Sequence, residues 1–217
     1  FVASTGESTE LTTSEGIVHA IESFPDLTNN SLIIRQSSDD DNGTNSGFGT
    51  SLASADFNGD GMDDVAVGAP FEDVNNYENA GVVHIFYGGN ESLTEGAVFH
   101  QNTGGIGGAA AAGDRFGSSL ATGDINADGF DDLIIGVPGE YRCWPRVCGA
   151  VGGINIIYGS ANGLTSANDH YFTQNSRGIG GKSSVGDQFG ASVASGDIDN
   201  DGFDDVIIGV PGDYRCW

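Results

Sequence analysis

The chain has 217 residues and a net charge of −24, from 31 acidic and 7 basic residues, which argues against nucleic acid and anionic membranes as partners. Its 36 glycines follow no Gly-X-Y period and 38% of its residues are apolar, so collagen and disorder give way to many short strands joined by tight turns. No apolar run approaches the roughly 20 residues of a membrane-spanning helix, and the first residues lack the basic and apolar regions of a signal peptide.

In chain order, the first residues carry no assignable pattern. "EGIVHAIESF" from Glu15 and "SLIIRQSS" from Ser31 read as two short strands. A unit of four predicted strands then begins at Phe48. "FGTSLASADF" is followed by the acidic loop "DFNGDGMDD" at 56–64, by "VAVGAP", by "GVVHIFYGG" at 81–89 and by the weaker "AVFHQNTGGIGG" at 97–108. A second unit begins "FGSSLATGDINADGFDDLIIGVP" at Phe116 and continues through "GGINIIYGS" at 152–160 and "HYFTQNSRGIGG" at 170–181. A third, "FGASVASGDIDNDGFDDVIIGVP", begins at Phe189, and the sequence stops soon after its second strand. In every copy Phe-Gly leads the first aspartate by eight residues and the Gly-Ala/Val-Pro triplet by twenty, and the copies start 68 and 73 residues apart. Length variation therefore falls in the loops.

Such self-similarity is the signature of a repeat architecture, and four short strands per repeat suit the blades of a propeller. The predicted fold is all-β, with two complete blades of four antiparallel strands and two complementary half-blades. The segments divide as 1–47 (the second half of a blade), 48–115 and 116–188 (two full repeats) and 189–217 (the first half of a third). Propellers typically close with about four or more blades. The expectation is therefore a window on a longer array, or a protomer whose half-blades are completed by neighbouring copies.

The acidic loops need a cation. Two ionised carboxylates about 4 Å apart repel by roughly 4 kcal/mol at an effective dielectric near 20. Side-chain oxygens at positions 1, 3, 5 and 9, a backbone carbonyl at 7 and a glycine turn at 6 suit a hard, oxygen-seeking ion such as Ca²⁺. The first loop offers Asp56, Asn58, Asp60, the Met62 carbonyl and Asp64. The second offers Asp124, Asn126, Asp128, the Phe130 carbonyl and Asp132. The third offers Asp197, Asp199, Asp201, the Phe203 carbonyl and Asp205. The third has one more carboxylate, so it is expected to bind most tightly. A helical calcium hand would need a glutamate at position 12, where Val67, Ile135 and Ile208 stand instead. The remaining aspartates, Asp63, Asp131 and Asp204 at position 8, are expected to face outward or to lie behind the ligands.

Phe-Gly, the DxNxDGxxD or DxDxDGxxD loop and Gly-Ala/Val-Pro, in that order, resemble the FG-GAP repeat of integrin α-subunit β-propellers and of many secreted proteins. The resemblance covers 48–217 directly and 15–37 by strand alignment. It implies Ca²⁺ held between two strands of a blade, at the positions just named. The replacement of Ala by Val137 and Val210 is a mild departure. Nothing resembles the rest of an integrin, so integrin-type ligand binding does not follow.

Of three cysteines, Cys143 and Cys148 share "YRCWPRVCGA" and are expected to form a small-loop disulfide in an oxidising compartment. Cys216 stands in register with Cys143, leaving a partner outside this window or on another chain. Asn29, Asn42 and Asn90 head N-glycosylation triplets. No catalytic constellation repeats: His19 and His84 share a strand position filled by Asn155 in the second unit, and "GGIGG" at 104–108 lacks the lysine and helix of a phosphate loop. Arg142 and Arg215 recur beside Trp144 and Trp217, which suits either contact with a protein or glycan ligand or packing around the disulfide. The sequence reads as a secreted or cell-surface, Ca²⁺-bound structural or adhesive scaffold, not an enzyme, whose partners are copies of itself or further repeats. The alternatives are a carbohydrate-binding module or the non-catalytic propeller of a secreted hydrolase.

Overall fold

A computed structural model describes residues 16–21, 31–36, 46–89, 92–144 and 147–214, and contains no helix among them. The first strands, β1 (Ile17–Ile21) and β2 (Ser31–Arg35), pair antiparallel. Next comes a four-stranded antiparallel meander of β3 (Ser51–Ala55), β4 (Asp64–Ala69), β5 (Val82–Tyr87) and β6 (Thr94–Phe99). The second sheet joins β7 (Ser119–Gly123), β8 (Asp132–Val137), β11 (Gly153–Tyr158) and β12 (Thr165–Phe172) in the same order. Between its second and third strands stands a hairpin of β9 (Tyr141–Trp144) and β10 (Val147–Ala150). The last pair is β13 (Ser192–Gly196) with β14 (Asp205–Gly209). These are two propeller-like blades of four strands with a half-blade on either side, and β3, β7 and β13, the first strands of their blades, lie side by side.

Alternation places the strands but burial places the blades. The second and third strands of each full blade are buried on both faces, with Ala66, Val67, Val83, Ile85, Leu133, Ile134, Ile135 and Ile157 fully buried, and their sequences are largely apolar, as strands covered on two sides must be. Cores form between successive sheets. Phe48 packs with Val18 and Ile34 of the first half-blade, Phe116 with Val83 and Ile85 of the blade before it, and Phe189 with Ile134 and Ile154. Each Phe-Gly phenylalanine is thus a plug against the preceding blade, worth about 1.5–3 kcal/mol in apolar burial.

The glycine that follows each plug ties the two signature motifs together. The N–H of Gly49, Gly117 and Gly190 donates to the carbonyl of Gly68, Gly136 and Gly209, at 3.0, 3.1 and 3.1 Å. This bond fixes the spacing seen in the sequence. A Cβ on Gly68 would collide with the Gly117 carbonyl of the next blade and with the Ser51 hydroxyl, so the residue has to be glycine where blades approach this closely. Ser51 and Ser119 donate across the same junctions to the carbonyls of Gly117 and Gly190, at 2.6 and 2.9 Å.

Three expectations need correction. Phe48 and Gly49 lie in the turn before β3 rather than on the strand. The fourth strands run earlier than 97–108 and 170–181, because register shifts between His84 and Phe86 and between Ile156 and Tyr158 let pairing begin at Thr94 and Thr165. Their glycine-rich tails form turns instead. The segment around Cys143 is a strand pair, not only a loop.

Candidate metal-binding loops

Each acidic loop joins the first strand of a blade to the second, and its aspartates first organise the loop's own backbone. Asp56 Oδ1 accepts the N–H groups of Gly59 and Asp60 at 2.7 and 3.1 Å, and Oδ2 accepts that of Gly61 at 2.8 Å. Asn58 Oδ1 accepts from Asp60, and Asp60 Oδ1 from Met62, at 2.8 and 2.9 Å. The second loop repeats this: Asp124 accepts from Asp128 and Gly129, Asn126 from Asp128, and Asp128 from Phe130. In the third, Asp197 accepts from Asp201 and Gly202, and Asp201 from Phe203. Such side-chain to backbone bonds are ordinary Asx chemistry. Here they curl each loop around its first carboxylate.

The tight curl demands left-handed backbone at two positions. Gly61, Gly129 and Gly202 have φ of 86°, 90° and 91°, and position 4 has φ of 72°, 55° and 62° at Gly59, Ala127 and Asn200. Position 9 opens the second strand. Asp64 accepts from Phe57 N–H and Gly88 N–H at 3.1 and 2.8 Å, and Asp132 from Ile125 N–H and Gly159 N–H, both at 3.0 Å. These two carboxylates are fully buried. Burial pushes the Asp132 carboxyl up to about 6, against the backbone N–H bonds and with Asp128 and Asp124 adding repulsion. Asp64 is raised for the same reasons. Asp205 accepts from Ile198 N–H at 3.0 Å but is exposed.

An oxygen-only donor set of this kind fits Ca²⁺. Oxygens bound to one Ca²⁺ at about 2.4 Å lie no more than about 5 Å apart. In the third loop, oxygens of Asp197, Asp199 and Asp205 all lie within 4.8 Å of one another.

The position-8 aspartates do not simply face outward. Asp131 and Asp204 reach back to the blade before their own, where they accept the N–H of Asp56 and Asp124, while Asp63 is exposed. A second line of cross-blade bonds runs elsewhere: Gln36 donates to Glu72 at 2.8 Å, Gln101 to Glu140 at 2.5 Å and Gln174 to Asp213 at 3.4 Å. His84 is not an ordinary strand-face residue, for it is buried with its Nε2 3.1 Å from Glu72 Oε2.

Cys143 and Cys148 form a disulfide across the β9–β10 hairpin. Arg142, itself exposed, lies over the Tyr171 ring, 5.1 Å from its centroid, and donates to the Tyr171 hydroxyl at 2.8 Å. Cys216, Arg215, Trp217, Asn29, Asn42, Asn90 and the Trp144 side chain lie outside what the structure describes. No helix of the described residues is long and apolar enough to cross a membrane.

Repeated blades carrying Phe-Gly plugs, acidic loops and Gly-Ala/Val-Pro exits define a class of β-repeat protein, and the comparisons name it. The FG-GAP repeat model matches residues 48–86, 116–154 and 189–215, and the chain belongs to the FG-GAP repeat family. Among relatives, integrin alpha-PS5 of Drosophila melanogaster is 35% identical over 76% of this chain, and integrin alpha-8 of Mus musculus 34% identical over 76%. The chain spans only 15% and 14% of those proteins. Among solved structures, a rhamnogalacturonan lyase of Bacillus licheniformis matches with a TM-score of 0.51 and 15% identity over 91% of this chain and 34% of that one, a likeness of fold.

Proposed function

We propose that this chain is an extracellular Ca²⁺-binding scaffold, structural or adhesive, with no chemistry of its own. The observation that carries the reading is the repeated oxygen-donor loop between the first two strands of each blade, with oxygens of Asp197, Asp199 and Asp205 within 4.8 Å of one another and no ion pair from any of these loops to a basic side chain among the described residues. Ca²⁺ would be held at Asp56, Asn58, Asp60, the Met62 carbonyl and Asp64, and at the corresponding residues of the loops at 124–132 and 197–205. Because one end of each loop is the start of a central strand, metal binding becomes folding free energy. Extracellular placement is supported by the integrin relatives and by the hairpin disulfide.

The partner we infer is another FG-GAP blade, from a copy of this chain or from further repeats. Ile198 is 69% exposed, whereas Phe57, its counterpart in the first blade, is fully buried against the blade that follows. Leu52 is 51% exposed, whereas Leu120 packs on the preceding blade. Sedimentation across a concentration series tests assembly between copies. Mass-dependent association that Ile198→Glu abolishes is expected for copies, and a concentration-independent monomer would contradict that form of it. Calcium itself is tested by titration calorimetry of the chelator-stripped protein. Heats that disappear in Asp60→Ala, Asp128→Ala and Asp201→Ala combined are expected, and unchanged heats would refute the sites.

A further inference from the structure

Asp131 and Asp204 make the same two-bond clamp at successive blade junctions. Asp131 Oδ2 accepts the N–H of Asp56 at 3.2 Å while the Asp131 N–H donates to the Asp56 carbonyl at 3.3 Å. Asp204 Oδ2 accepts the N–H of Asp124 at 3.1 Å, and its N–H donates to the Asp124 carbonyl at 3.2 Å. The partners are 75 and 80 residues apart in sequence. In each case the residue gripped is position 1 of the preceding loop, whose own carboxylate ties the N–H groups of the turn. Main-chain geometry at position 1 is therefore held from the neighbouring blade, and the side chain that begins the donor set inherits that orientation.

We propose that Asp131 and Asp204 are positioning residues that couple each acidic loop to the blade after it, so that the affinity of a loop for Ca²⁺ is set in part by a side chain of the next repeat. This rests on the calcium reading above. It makes a displaced prediction: losing Asp131 weakens the loop at 56–64, not the loop at 124–132 in which Asp131 resides, and losing Asp204 weakens 124–132. The acidic charge alone would act differently, through a field felt by both loops.

Hydrogen exchange with mass readout, followed loop by loop in a Ca²⁺ titration of the whole chain, tests this. In Asp131→Ala the Ca²⁺ midpoint for protecting 56–64 should rise about tenfold, the loss expected for one hydrogen bond to a charged acceptor, while the midpoint at 124–132 stays put. Asp131→Asn, which keeps an acceptor oxygen without the charge, should restore most of the midpoint. In chelator, Asp131→Ala should also raise exchange at 56–60, a reading independent of metal. A shift confined to 124–132, an equal shift at both loops in both variants, or no shift at either would overturn the coupling. Absence of Ca²⁺-dependent protection anywhere in the unmodified protein would instead overturn the calcium reading, and the inference with it.

Discussion

At the scale of single residues the acidic loops balance two opposing demands. Asp56, Asp124 and Asp197 spend their oxygens on backbone N–H groups, which builds the turn but gathers carboxylates that repel. Ala127 shows the strain of that turn most plainly: it holds a left-handed φ of 55° where the sibling loops have Gly59 and Asn200. A Cβ there costs about 1–2 kcal/mol, less for asparagine, so Ala127→Asn should raise the melting temperature by about 2–4 °C, measured calorimetrically. Burial makes the carboxylates pH-sensitive as well. Asp114 is pushed up to about 7, first by burial and then by repulsion from Glu140, against the N–H bonds of Ala111 and Tyr141. Asp132 rises to about 6. A carboxyl whose pKa is raised by folding binds its proton more tightly when folded, so stability is greatest below the unfolded value of 3.8 and is lost as pH rises through the folded value. In chelator the melting temperature should therefore fall as pH rises between about 4 and about 7. Glu140→Gln should flatten the upper part of that curve by returning Asp114 toward its ordinary range; a stability that climbs with pH would refute this.

At the scale of the element, the Phe-Gly plug joins each blade to the one before it. Phe116 is fully buried between β5 and β8 residues, so Phe116→Ala should cost about 3–5 kcal/mol in denaturant unfolding. The repeat was legible in the sequence because its defining contacts are local or within one blade: the Gly49 N–H to Gly68 carbonyl bond requires a fixed spacing, and the loop aspartates bond residues two to five positions on. The cross-blade contacts were not. Asp131 and Asp56, or Gln101 and Glu140, meet only after the blades stack, and no short-range pattern marks them. His84 and Glu72 lie in one blade, but the long β4–β5 loop brings them together and no periodic pattern marks the pair. The starts of β6 and β12 were missed because extra residues in each fourth strand shift its register against the third and carry the pairing upstream, into residues with little alternation.

At the scale of the whole molecule, blades succeed one another through a single heterologous contact repeated along the chain: a phenylalanine plug, a serine-to-carbonyl bond near the first strands, and an aspartate clamp at the acidic loops. Such a contact propagates by rotation and translation, and its geometry decides whether a ring closes or an array extends. The charge of −24 opposes this compaction, and in the proposed function bound Ca²⁺ offsets it where the acid is densest. Each site saturated at about a thousand times its dissociation constant would add about 4 kcal/mol. Differential scanning calorimetry of the same sample in millimolar Ca²⁺ and in chelator is the most direct measurement of that claim. The account predicts a melting temperature lower by roughly 10 °C or more in chelator, restored by adding Ca²⁺ back; superimposable melts would contradict it.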